Sequence, residues 1–440
     1  MSQGAVSQLS PLQGIARRDV TKSTENSFFG FGTARFRLGV VSIWSNFALL
    51  VLQQVSFRLL APTIGSSLET WSTIIGVFLL GIAAGNAAGG HLADRFSSGP
   101  VVRWGLLAGC ATALAMFWIS ESLKQATWIA VLPLFAQIAI AATLVCFLPA
   151  FLLSLLTPVA VRGVLAESGG AGSAAGLIYA LGTVGSLIGN YATGFWMIPH
   201  YSIGQIILMV AGSLWLLALV VPATTTVTRD DLPSSDDSVS TSDATPFAGR
   251  LALAAVVVAV CSFVSGTLES AAFRILAPLV GVSIYLSTGV VGVILCGIAV
   301  GNYWGGKIAD RKGGVSALRW TLAVAAVATL LVIPLLKRGL DSGLLDGWSL
   351  IPKIVGWSFL LFFLPSLALG MISPQVIRLA IVDHRETGRI SGRLYAWSTV
   401  GCVVGILATA WCLIEWLGVQ RLVLACGLGL LPIIAVVGRE

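Results

Sequence analysis

Charge is what this sequence has least of. Asp, Glu, Lys and Arg make up 10% of its 440 residues, against roughly 25% in a soluble domain. Histidine occurs only as His91, His200 and His384, which are expected on loops with no partner visible in the sequence. No Ser/His/Asp set can be assembled, so no catalytic residue is assigned and an enzyme is not expected. The seven cysteines (Cys110, Cys146, Cys261, Cys296, Cys402, Cys412 and Cys426) lie in apolar runs without CxxC spacing. They read as small buried hydrophobes, so no metal, disulfide or cofactor is expected. No clustered basic face is present to grip a phosphate backbone, which excludes nucleic acid as a partner.

Apolar residues, by contrast, supply 56% of the chain, and mean hydropathy is +0.92. Uncharged runs of bilayer-spanning length, about 17–25 residues, recur throughout. The expectation is an all-α integral membrane protein with the lipid bilayer as its first partner. Twelve transmembrane helices are predicted, at 38–60, 70–91, 101–120, 126–156, 173–198 and 202–222, then 251–277, 283–307, 317–337, 349–372, 391–414 and 420–438. Residues 1–37 are polar and read as a disordered cytosolic tail. Residues 223–250 are acidic, rich in Ser and Thr, and read as a flexible cytosolic linker.

The linker joins two copies of one unit. Phe57 to Arg95 returns as Phe273 to Arg311 with 20 of 39 positions identical at an offset of 216 residues. The same offset carries Phe147-Leu148-Pro149 to Phe363-Leu364-Pro365, and Tyr179-Ala180 to Tyr395-Ala396. The domains are therefore a first six-helix repeat, 38–222, and a second, 251–438. Six helices per copy give both copies one orientation, as parallel repeats in the manner of the two halves of a major facilitator transporter. With the N-terminus inside, inner segments hold 19 Lys and Arg and outer segments 7. The positive-inside bias places both termini in the cytosol of a cell (cytoplasmic) membrane.

Glycine is patterned. Helix two carries Gly81, Gly85 and Gly89, and helix eight repeats them as Gly297, Gly301 and Gly305; helix five holds Gly172, Gly176, Gly182, Gly185 and Gly189, helix eleven Gly392, Gly401 and Gly405. A four-residue spacing stacks glycines on one face, where backbones approach closely. These helices are the ones that meet across the halves of a major facilitator, so the expectation is a pair of smooth contacts on which the halves rock. Static packing within the bundle is the competing reading.

The loop Gly89-Gly90-His91-Leu92-Ala93-Asp94-Arg95 and its copy Gly305-Gly306-Lys307-Ile308-Ala309-Asp310-Arg311 resemble the G-x-L-A-D-R motif of the major facilitator superfamily. Asp94 and Asp310 are expected to latch onto the N-terminus of a neighbouring helix, near Arg389 and Arg393 for the first and near Gly172–Ala175 for the second. The wider pattern, R-x-L-A-P-x-x-G, then G-G-x-x-A-D-R, S/T-P and Y-A-x-x-T-V-G, resembles the membrane half of fused MFS/spermidine synthases. The resemblance implies a small-molecule transporter, with a polyamine as one cation that would fit. It also implies a soluble aminopropyltransferase as a partner. The transferase domain that usually follows is not expected here, because the sequence stops at Glu440 just after helix twelve. A scaffold that docks a separate synthase-like enzyme without transporting is the alternative.

Few polar residues fall inside the helices. Gln53 and Arg58 in helix one align with Glu269 and Arg274 in helix seven, and Tyr179 in helix five with Tyr395 in helix eleven. Ionisable groups at membrane depth face protein or a wet cavity, which makes these six the substrate or coupling candidates. Glu269 suits a cation or a proton; Arg58 and Arg274 suit an anion. A static ion pair between Glu269 and either arginine is the structural alternative.

Overall fold

A computed structural model of the chain describes residues 34–168, 171–221, 251–310, 314–380 and 387–437. The predicted linker and most of the predicted tail lie outside them. Twelve helical rods run through the described residues. They are α1 (Ala34–Ile64), α2 (Leu68–Arg95), α3 (Ser98–Gln125), α4 (134–168), α5 (171–200) and α6 (Ile203–Val220). The second set is α7 (Leu251–Val280), α8 (Ile284–Asp310), α9 (Gly314–Asp341), α10 (350–380), α11 (387–417) and α12 (Val419–Val437). Among the described residues, eleven candidate spans meet the length and hydropathy needed to cross a membrane. The fourth predicted helix needs correction at both ends: Pro133 starts the rod, leaving Thr127–Ala130 as a separate turn, and the rod continues to Ser168.

The repeat is written into the local stops and starts. Gly65 (φ 78°) and Gly281 (φ 77°) take the left-handed conformation that ends α1 and α7. Their N–H groups donate to the carbonyls of Ala61 and Ala277, each at 2.9 Å. Two residues later Ser67 and Ser283 cap the next helices, their hydroxyls accepting from Thr70 N and Leu286 N at 3.3 Å. Wide π turns at Thr143–Phe147 and Phe359–Phe363 precede Pro149 and Pro365. A proline has no N–H to give and crowds the carbonyl one turn back, and the wider turn accommodates both defects. A third π turn, Ala192–Met197, leads into Pro199, whereas the fourth, Thr409–Leu413, has Glu415 at the equivalent place.

Each half holds its own apolar core. One runs from Leu38 to Val221; the other runs from Ala254 to Val437 and also takes in Trp71 and Ile75 from α2. Outward, Trp104 and its repeat Trp320 are 71% and 74% exposed, the surface a bilayer solvates.

The glycine stripes serve the insides of the halves, which corrects the rocking expectation. Gly81, Gly85 and Gly89 press α2 onto the Phe147, Phe151 and Leu155 backbone of α4. Gly297, Gly301 and Gly305 press α8 onto Phe363, Leu367 and Met371 of α10. Gly185 and Gly189 lie on the Ile43 and Phe47 carbonyls of α1, and Gly401 and Gly405 on Ala259 and Phe263 of α7. Lipid is as apolar as leucine, so close backbone packing rather than the hydrophobic effect holds such helices together. The stripes are mortar within each half.

Candidate functional site

Let the outer end be the one carrying the Gly65 and Gly281 turns, and the inner end the one carrying Arg95 and the first turn of α1. At the outer end the halves meet along two seams. On the α5/α8 seam Gln54 Nε2 donates to Asn190 Oδ1 at 2.6 Å, and Asn190 Nδ2 donates across to the Thr288 carbonyl at 2.8 Å. All three residues are buried. Close contact around them needs glycine: Gly194 faces Thr288, and Gly292 faces the Tyr191 ring, with no room for a Cβ at either.

On the α2/α11 seam Gly76 meets Leu407, and Trp411 Nε1 donates to Thr73 Oγ1 at 3.3 Å. Between the seams Trp71 stacks edge-on against Phe57 of its own half and Phe273 of the other, at 4.4 and 5.5 Å between ring centroids. These rings plug the outer end. Below them, towards the inner end, Tyr179 and Tyr395 are 50% and 56% exposed.

The predicted polar residues divide into two places. Arg58 and Arg274 come together on a cleft of about 590 Å³ above the plug, with Glu69 also on its wall. Both arginines are exposed and neither pairs with a described residue. Glu269 and Gln53 do not line that cleft. Glu269 is partly exposed and has no ion-pair or hydrogen-bond partner among the described residues. The expected static pair with Arg58 or Arg274 is therefore absent among the described residues, because the arginines lie more than a turn further out and face the cleft. Of the gate motif, Arg95 is exposed at the inner end of α2, while the side chains of Asp94 and Asp310 and the whole of Arg311 lie outside the described residues. Arg393, named as one latch neighbour, lines an apolar groove between α7 and α11 with Trp397. His91 and His200 sit in helices rather than loops, each with Nδ1 against the carbonyl four residues back.

Sequence reasoning missed the seam itself. Gly76 and Gly292 stand five residues before the first glycine of each stripe, about 140° away around the helix. That offset, legible in the sequence, separates a glycine that faces the other half from those facing its own.

The fold is that of the major facilitator transporters. One solved structure with it is a POT family transporter in complex with 5-aminolevulinic acid: TM-score 0.63, 13% identity, covering 94% of this chain and 97% of that one. Another is a bacterial homologue of the human lysosomal transporter Spinster in an inward-facing and occupied conformation, at TM-score 0.58, 13% identity and 92% and 95% coverage. A bacterial homologue of the iron transporter ferroportin in an inward-facing state aligns at TM-score 0.59 and 12% identity, over 94% and 100% of the two chains. No family model and no curated protein matches the sequence.

Proposed function

We propose that the chain is a secondary transporter that moves a small polar or charged solute across the cell membrane by alternating access. The observation that carries this reading is the pairing of a plugged outer end with half-exposed tyrosines at the inner end, in two halves whose buried cores share only Trp71 and Ile75 among the described residues. Such halves can exchange one closed end for the other without unpacking. Similarity of fold to transporters of peptides and metal ions supports the mechanism and leaves the solute open. Glu269 is the group for coupling: a partly exposed carboxylate at membrane depth, without a partner among the described residues, takes up and releases a proton or meets a cationic solute such as a polyamine.

Both termini are cytosolic in this reading, from the 19 to 7 bias of Lys and Arg. A reporter fused after Glu440 or inserted near Ser235 is expected inside the cell; an external signal at either site defeats the arrangement. Transport is tested in proteoliposomes carrying a pH gradient, with amines, amino acids and carboxylates as solutes. Uptake above empty vesicles for one class is expected. Uptake of none, together with tight binding of a soluble aminopropyltransferase, would instead favour the scaffold reading.

A further inference from the structure

The outer cleft has features that gate closure alone does not require. Arg58 and Arg274 each stand six residues before the end of their helix, about 9 Å in from the helix end at 1.5 Å per residue. They come from equivalent positions of the two halves and share one cavity, yet neither is neutralised by a described residue. Glu69 lines the same cavity and pairs with neither. The first turns of α2 and α8, at Ser67 and Ser283, open onto it, as do the last turns of α1 and α7 at Ala61, Pro62 and Ala277, so the helix ends offset one another and the side chains set the charge. In the floor, Trp71 is 6% exposed and its indole Nε1 lacks an acceptor among the described residues. The remaining wall is mostly apolar, built from residues such as Ala61, Pro62, Ala277, Val282 and Leu286, with Ser66 and Ser287 among them. A volume of about 590 Å³ is within the range of small-molecule sites, about 300–1,000 Å³.

We propose that this cleft binds a small monoanion with an apolar body, a carboxylate or a phosphodiester, its head between Arg58 and Arg274 and its body against Pro62, Ala277 and Leu286. Two guanidiniums against one carboxylate leave a net positive charge in one cleft, and such a charge draws an anion. Binding there stands without transport. Joined to the transport reading, on which this second step rests, it makes the transported solute an anion and leaves Glu269 to carry the accompanying proton. A lipid headgroup offers the same chemistry as a soluble anion, and the test separates them.

Full-length protein in phosphatidylcholine nanodiscs is titrated calorimetrically with 4-phenylbutyrate, with 4-phenylbutylamine as the cationic match and empty discs as blank. Expected is saturable binding of the carboxylate and none of the amine. Affinity should fall about tenfold in Arg58→Gln or Arg274→Gln, the loss of one charge-assisted contact. Glu69→Gln should raise affinity about threefold by removing the repelling charge, a gain that misfolding cannot imitate. Equal binding of the amine, no carboxylate binding above the blank, or unchanged affinity in both arginine variants overturns the proposal. Repeating the titration in discs containing phosphatidylglycerol assigns the source: weakened carboxylate binding means that the headgroup occupies the site, and unchanged binding means a soluble solute. Because no transport is measured, failure here leaves the alternating-access reading standing, and a binding-competent but inactive protein defeats only that reading.

Discussion

The two seams of the outer end occupy equivalent positions of the repeat and are built differently. Gln54, Asn190 and Thr288 on the α5/α8 side correspond to Ser270, Ile406 and Ser72 on the α2/α11 side. The first set forms two short amide hydrogen bonds in full burial. In the second, Ser270 donates to the Ile406 carbonyl at 3.4 Å and stands 3.5 Å from the Ser72 hydroxyl, distances at which little energy remains. Repetition of sequence has kept the meeting place and varied its strength. One seam is pinned and the other rests closed on Leu407 and Trp411.

Changes within a half should exceed any change at a seam. Gly85→Leu would drive a side chain into the Phe151 carbonyl and Ser154, costing ~3 kcal/mol, visible as a large fall in Tm and in monodisperse yield. A Gly85→Leu protein of normal stability that has stopped transporting would reinstate the stripe as a moving contact. At the pinned seam, Asn190→Leu leaves the Thr288 carbonyl without the donor that crosses between the halves, costing about 1–3 kcal/mol in the closed state, while the lost bond to Gln54 lies within one half and weighs on both states. The ratio of open to closed populations, read from spin-label distances between Ser66 and Val282, should then rise about tenfold; an unaltered distribution would mean that the amides pin nothing. Ser270→Ala, at the opposite seam, should move the same distribution by less than about threefold, given the long contacts. A shift as large as that of Asn190→Leu would erase the asymmetry. Least of all for stability, Glu269→Gln should change unfolding by under ~0.5 kcal/mol, since no described partner is lost. Proton-driven accumulation should nevertheless collapse and lose its dependence on pH; full coupling in that variant would remove Glu269 from the mechanism.

Much of this was readable from the chain. Period and length gave the helices, and a single offset gave the two halves, because in lipid every backbone group must be satisfied within its own segment. The α4 start was misplaced because Leu134 onward is as apolar as the turn preceding it, and only Pro133 marks the break. Arg58, Arg274 and Glu269 stood out as rare charges in apolar runs. Their separation into two places did not, since it depends on how helices from both halves converge at the outer end. The glycines were recognised but assigned to the wrong neighbour: four-residue spacing shows that a backbone comes close and is silent about which one. Asn190 was passed over entirely, being a lone amide whose partners lie 136 and 98 residues away.

The paired π turns are common to the two copies. A π turn records one residue accommodated within an α-helix, and those at Thr143–Phe147 and Phe359–Phe363 stand at the same point of both copies. The copies agree where a helix must be built around its proline, and they differ where the halves meet: Gln54, Asn190 and Thr288 stand opposite Ser270, Ile406 and Ser72.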